Sequence, residues 1–259
     1  MEVGRALVPF LLAGAVFVSL ERFLALQAGQ PVFRRGWLTD LVYVLVNRPI
    51  IQGGLIALLA GAGVCARRLV PAGVQAAVGR QSLWLQVVEA VLVADLGFYL
   101  AHRASHAVPW LWRFHAIHHS SEDLDWLAAS RIHPVDQIVT RGAALLPLFA
   151  LGFSGGAVGL YGSLYFWHSY LVHANLRVSF WPLGWLIASP RFHHAHHARD
   201  RASRDRNFAA QVSLLDVLFG TLHAPGGRPP AAYGVDEPLP ATYLGQLLHP
   251  FRRRRALPA

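Results

Sequence analysis

Apolar residues in this chain come in long unbroken runs rather than in the short alternations of a soluble fold. Crossing a bilayer as a helix takes about 20 such residues. Four stretches qualify: residues 6–27, 40–65, 83–101 and a block from about 142 to 173. Gly152, Gly155, Gly156 and Gly159 interrupt the last block. It therefore reads as two helices, one or both short, in a hairpin that enters and leaves on the same side. The Leu183–Ala188 stretch is too short to span and suits the membrane surface. The first stretch carries Glu21 and Arg22 and lacks a convincing cleavage site, so it is expected to be a retained helix rather than a signal peptide.

Composition strengthens this reading. Of 259 residues, 54% are hydrophobic and 14% charged, against about 25% charged in soluble domains; the mean hydropathy is +0.37. The formal charge of +9 invites a nucleic-acid partner. Yet the arginines flank apolar segments and no nucleic-acid motif appears, so anionic lipid headgroups are the expected counter-charge. All 23 Lys and Arg positions are arginine, which points to coding bias. The single cysteine, Cys65, excludes an intramolecular disulfide and a thiolate cluster.

With three crossings and a returning hairpin, one side of the membrane receives Arg34, Arg35, Arg103, Arg113, Arg131 and nearly every arginine from Arg177 to Arg255. The other receives Arg5, Arg67, Arg68 and Arg80. The positive-inside rule assigns the richer side to the cytoplasm. The tail beyond Ala224 is rich in proline and glycine, with a short amphipathic piece at Tyr243–Leu248 and a terminal run Arg252–Arg255 that suits a membrane surface or a solvated end.

Candidate chemistry lies in the histidines. Nine of fourteen fall in a spaced pattern: His102 and His106, then His115, His118 and His119, then His173, then His193, His196 and His197. Spacings of three and four residues put side chains on one helix face, so each group is expected to point one way. All nine fall at or beyond span ends on the arginine-rich side. Nine nitrogens exceed the four to six that one metal accepts, and the natural partition is two metals with four or five imidazoles each. Such nitrogen-rich sites fit redox-active iron, although zinc accepts the same ligands. Asp95, seven residues before His102 and on its face, is an ionisable group inside an apolar run. It is expected to accept a hydrogen bond from a ligand imidazole. His133 is a candidate ligand or supporting residue, His168 and His194 are expected off the ligand face, and His223 and His249 in loops. Trp110, Trp112, Trp126, Trp167 and Trp181 flank these positions, as interfacial aromatics or as lining of a substrate slot.

The runs AHRASH, FHAIHHSSED, RIHP, HANL and SPRFHHAHH, followed by Asn207-Phe208 and Leu215-Asp216-Val217-Leu218-Phe219-Gly220-Thr221, closely resemble the fatty acid hydroxylase superfamily, also called the sterol desaturase family. The likeness covers roughly residues 85–225. It implies membrane helices capped by a cytosolic histidine-rich domain, and a non-haem di-iron centre that uses O2 to hydroxylate or desaturate lipid C–H bonds. Carried over by motif, the metal ligands are the same nine histidines. Asp95, His133, Asn175, Asn207 and Asp216 are the candidates to support them. Ala209 stands where the family often has Gly, Leu215 where it often has Trp, and Asp136 where Glu is frequent. These departures touch no ligand and bear on subfamily and substrate.

The expected fold is all-α, a polytopic membrane helical bundle with a cytosolic histidine-rich cap. Residues 1–81 form N-terminal transmembrane helices, 82–225 the hydroxylase-like region and 226–259 a Pro/Arg-rich tail. The expected function is an oxidoreductase of the bacterial inner membrane acting on a sterol, hopanoid, fatty acyl or related lipid, with two Fe and O2. The length leaves no room for a fused redox module, so electrons are expected from a separate ferredoxin- or cytochrome-type protein and its reductase. A zinc-dependent membrane hydrolase is the first rival, weakened by the lack of an HExxH glutamate. A metal transporter is the second, weakened by ligands that sit beyond the span ends rather than at the midplane.

Overall fold

The computed structural model describes the backbone of residues 2–224 and 229–252 and the side chains from Val8 onward. Pro225, Gly226, Gly227 and the arginine run from Arg253 lie outside the described residues, as does the side chain of Arg5. Among the described residues every regular element is helical. Helix α1 (Glu2–Leu24) is followed by α2 (Trp37–Leu58), which passes through a π-helical turn, Leu59–Gly63, into α3 (Val64–Leu69). Then come α4 (Ala72–Arg80), α5 (Leu83–Ala107), α6 (Pro109–His115), α7 (Pro134–Leu151), α8 (Gly155–His173), α9 (Pro190–His196), α10 (Leu214–Leu218) and α11 (Tyr243–Leu248). Starts are set locally. Ser82, Ser154 and Ser189 cap α5, α8 and α9 by accepting a backbone N–H, and Pro109, Pro134 and Pro190 occupy first-turn positions.

Two helices are long and apolar enough to cross a membrane, Trp37–Leu69 and Leu83–Ala107. Leu45, Val46, Ile50, Ile56, Val88, Leu92 and Leu100 stand exposed along them, as lipid-facing side chains do. This is a membrane protein. The sequence suggests four apolar stretches. The other two form as α1 and as the α7–α8 pair, shorter helices of 18 and 19 residues joined at Gly152. Gly152 ends α7 in the left-handed region at φ 83°, where a Cβ would also press on Gln75.

Helix α5 is the axis of the bundle. Its Ala90 and Ala94 are fully buried against Ala144 and Leu148 of α7 and Tyr161 of α8. At the crossing with α7, a Cβ on Gly97 would overlap the Ala143 carbonyl. Backbone therefore meets backbone there, the close approach that small residues permit between membrane helices. Since α5 ends in His102 and His106, this crossing sets where the histidine cap begins.

The cap is tied to the bundle by buried charge. Arg34 donates to Asp40 and to Asp125, each at 2.6 Å, and Arg131 donates to the second oxygen of Asp40 at 2.5 Å. All four side chains are buried, the setting in which removing one partner costs about 3–5 kcal/mol. Glu21 of α1 accepts the backbone N–H groups of Trp126 and Asn175. Helix α11 packs on α2, where the Tyr243 hydroxyl donates to Asn47 at 2.9 Å.

Replacing Gly97 by Ala is expected to lower the stability of the detergent-solubilised protein by about 1–3 kcal/mol, the usual range for overpacking. Thermal unfolding reads this. An unchanged unfolding curve would show that α5 and α7 do not meet backbone to backbone.

Candidate metal centre

Helix α5 delivers His102 and His106 from its last turns, α6 ends on His115, and a 3₁₀ turn, His118–Ser120, presents His118 and His119. His173 is the last residue of α8, and α9 with its C-cap carries His193, His196 and His197. These nine side chains form two groups. In one, His102, His106, His115, His119 and His196 each turn a ring nitrogen to a common point; in the other, His118, His173, His193 and His197 do so. Within each group the nitrogens lie within 4.8 Å of one another.

Each HxxHH triplet is therefore divided, not aimed one way as the spacing alone suggests. The outer pair His115 and His119 goes to the first group and His118 to the second. In the later triplet His193 and His197 go to the second group and His196 to the first. The physical reason is angular. At about 100° per residue, i and i+4 lie about 40° apart, while i+3 and i+4 are neighbours separated by about 100°. The first triplet is also not on one helix, since the chain leaves α6 after His115.

Hydrogen bonding fixes which nitrogen faces inward. His102 Nδ1 lies 2.7 Å from the Phe208 carbonyl, His118 Nδ1 3.2 Å from that of Arg131, His173 Nδ1 2.7 Å from that of Ser169, and His196 Nδ1 2.7 Å from that of Arg206. A carbonyl only accepts, so each Nδ1 carries the proton. His115 Nδ1 likewise donates to Asp136 at 2.9 Å, and His106 Nδ1 faces Asp205 at 3.1 Å. Burial, reinforced by neighbouring imidazoles, pushes His118 down to about 3 and His115, His119, His193, His196 and His197 well below the ordinary histidine value. At neutral pH these rings are uncharged, and each Nε2 opposite a protonated Nδ1 is a bare lone pair.

Those lone pairs face each other. His102 and His115 meet Nε2 to Nε2 at 3.0 Å, and His118 and His173 at 3.1 Å. Neither member of either pair has a proton to give. His106 Nε2 and His196 Nε2 are buried without any hydrogen-bond partner, as is His197 Nδ1. Two donors at right angles on a metal with bonds of ~2.1 Å stand ~3.0 Å apart. The histidines present fit a pair of metal ions, and a cation between them satisfies what no hydrogen bond here can.

A fatty acid hydroxylase family profile matches residues 87–221, more than half of the chain and every histidine of the two groups. The chain belongs to the fatty acid hydroxylase family. It is 31% identical over 169 residues to the ornithine lipid hydroxylase OlsE of Rhizobium tropici, covering 65% of this chain and 51% of that protein. It is 31% identical over 150 residues to human alkylglycerol monooxygenase, covering 58% of this chain and 33% of that one. A rice very-long-chain aldehyde decarbonylase, GL1-1 (Oryza sativa subsp. indica), is 29% identical over 158 residues, covering 54% and 24%. The matches thus span about half or less of these relatives' length. No solved structure matches the chain.

The family's downstream signature has a structural use here. Asp216 accepts the N–H groups of Phe208 and Ala209 and the Thr221 hydroxyl, at 2.6–2.9 Å. Asn207 sits in the left-handed region at φ 59°, which asparagine tolerates. Its side chain donates to the Phe192 and His223 carbonyls and accepts the His223 N–H. The strapped segment bears the Arg206 and Phe208 carbonyls that orient His196 and His102.

Asp95 differs from expectation. Its carboxylate receives the N–H groups of Ala210, Gln211 and Val212 at 2.5–3.2 Å and no imidazole. It holds the loop that holds His102, one step further out than the helix-face argument places it. His133 also stands apart from both groups. Its Nδ1 accepts the Val135 N–H to cap α7, and its Nε2 bonds the Leu247 carbonyl. Asn175 pins the end of α1, bonding the backbone of Leu26 and Gln27. His194 points away as expected, to Tyr233 and the carbonyls of His173 and Ala174. Two carboxylates do orient a histidine of the groups: Asp205 faces His106, and Asp136, in sequence only a departure from the family pattern, holds His115. Nothing local marks a contact spanning 21 residues; its sole signal is its place in the first turn of the helix opened by His133-Pro134.

Asp136→Asn is expected to lower affinity for the metal of the five-histidine group about 10–100-fold, the usual cost of losing such a hydrogen-bonded partner. Competition with a chelator measures it, and unchanged affinity would remove Asp136 from this role.

Proposed function

We propose that this chain is a membrane-bound, O2-dependent oxidoreductase that hydroxylates or desaturates a C–H bond of a lipid. The carrying observation is the set of nine buried imidazoles whose bare nitrogens converge in two groups. In this proposal His102, His106, His115, His119 and His196 hold one iron, and His118, His173, His193 and His197 the other. Bound there, the iron pair supplies the activation of O2 that attack on an unactivated C–H bond requires. The remaining work belongs to the protein. Its Nδ1 acceptors keep the rings in the tautomer that presents Nε2, and Asp136 holds the His115 proton.

A cavity reaches this centre from the bundle side, lined by Phe98, Ile132, Thr140, Tyr165, Val172 and ligand rings. Its free space is about 40 Å³, room for only a few water-sized molecules at 10–15 Å³ each. It admits one short stretch of substrate and little water. Of the flanking tryptophans, Trp167 lines a larger groove on the same side, and Trp112 lines a separate cavity beside His106 and His119. Trp126 is in the core, while Trp110 and Trp181 are exposed.

The relatives' names support a lipid substrate, one being named for an ornithine lipid and another for an alkylglycerol. They leave the hydrolase and transporter readings without support. Electrons come from a separate ferredoxin- or cytochrome-type donor with its reductase. The histidine end faces the cytoplasm of a bacterial inner membrane: Arg67 and Arg68 end α3 and Arg80 ends α4 at the opposite pole, while the histidine end carries many more arginines.

Purified protein is expected to contain two Fe per chain and to oxidise lipid only under O2. In a producing strain, deletion should accumulate a lipid lacking one hydroxyl or double bond, and His118→Ala should reproduce that profile. Stoichiometric zinc with O2-independent turnover, or an unchanged lipid profile in the variant, would contradict the proposal.

A further inference from the structure

Two cavities touch the histidine centre, and they divide the nine rings unequally. The narrow one on the bundle side borders His118, His173 and His193 of the four-histidine group, together with His102 and His115. A second cavity, of about 320 Å³, borders His106, His119 and His196 of the five-histidine group and, among the described residues, no ring of the other. The exposed side chains of Arg199, Arg204, Asp205 and Asp236 line it, so it opens to water. Carboxylates outnumber guanidiniums on its described wall, Asp205, Asp236 and Glu237 standing against Arg199 and Arg204. Both arginines are bonded to Asp236, at 3.1 and 2.9 Å. A cation therefore meets no net positive charge on this wall. Two of its rings, His106 and His196, have Nε2 buried without a hydrogen-bond partner.

His106 is held differently from its neighbours. The Nδ1 groups of His102, His118, His173 and His196 end on backbone carbonyls, and that of His115 on the buried Asp136. The Nδ1 of His106 ends on Asp205, whose side chain is 61% exposed. Water competes for such a carboxylate, so this bond holds its ring more weakly. His106 is also the penultimate residue of α5, and helix ends open at lower cost than helix middles. Turned outward, its ring has the wide cavity to enter. The four-histidine group has a tighter setting. All four of its rings are buried, and the free space beside them is about 40 Å³.

We propose that the water-facing cavity is the port through which the metal of the five-histidine group enters and leaves, and that Asp205 is the latch holding His106 across it. This rests on the reading of both groups as metal sites and assigns them unequal exchange. Asp205 acts through His106, as a positioning residue.

The test is metal release from the full chain in neutral detergent, loaded with two zinc ions as a redox-silent probe. Excess pyridylazoresorcinol, a chromogenic chelator, takes the zinc and reports its release by absorbance. Two phases of equal amplitude are expected, with rates about tenfold or more apart. His119→Ala should remove the fast phase and His118→Ala the slow one. Asp205→Gly suits the left-handed backbone at that position, φ 56°. It should hasten the fast phase about fivefold, the upper end of what an exposed charged pair contributes, and leave the slow phase unchanged. Asp205→Asn keeps an acceptor for His106 and should stay within about twofold of the parent chain. Val235→Trp, on the cavity wall, should slow the fast phase alone. A single phase, a fast phase lost in His118→Ala, or both phases hastened alike by Asp205→Gly would overturn the proposal. So would an unchanged fast phase in either Asp205→Gly or Val235→Trp. A chain that takes up no zinc would sink the parent reading and this one with it, whereas two zinc ions lost in one phase would sink this one alone.

Discussion

Bare imidazole nitrogens facing one another inside the protein are the constraint on which the rest of this structure depends. Neutral lone pairs at about 3 Å separation repel, and burial denies them water. The arrangement persists only if each ring is held from behind and a cation is held in front. Most polar features of the cap serve the first requirement. Asp136 and the carbonyls of Arg131, Ser169, Arg206 and Phe208 fix the rings. Asp95, Asp216 and Asn207 fix the loop that bears two of those carbonyls. The Asp125–Arg34–Asp40–Arg131 network in turn anchors Arg131.

Seen from the ligands outward, the fold is a series of concentric supports. Carboxylates act mostly two steps from the rings, and among the described residues only Asp136 and Asp205 meet one directly. This leaves the inner sphere nitrogen-rich and uncharged. The exchange of His118 and His196 between triplets also knits the two groups together. No single helix supplies either one, so loss of any of α5, α6, α8 or α9 disrupts the pair.

Much of this was legible in the residues. Apolar run lengths located the long helices, and the glycines from Gly152 marked the break between α7 and α8. The histidine spacing identified nine rings and a division into groups of four and five. What spacing could not carry was direction. A helical wheel aims His115, His118 and His119 together, but the chain breaks helix after His115 and the triplet splits. Asp95 shares a face with His102, yet a loop more than a hundred residues later takes its oxygens. His133 looked like part of the site because of its neighbours in sequence, and it proved to be a helix cap. For Asp95 the deciding partners are backbone groups distant in the chain, which leave no mark in residue type; for His133 the deciding partner is the backbone N–H of Val135, two residues on. The 3₁₀ turn His118–Ser120 depends likewise on tertiary placement.

The central claim is that the two histidine groups hold two metal ions. Anomalous scattering from crystals of the protein, recorded above and below the iron edge, tests it most directly. Two iron peaks are predicted, one among His102, His106, His115, His119 and His196 and one among His118, His173, His193 and His197. A single peak, peaks of another metal alone, or peaks away from these rings in iron-grown protein would contradict the account.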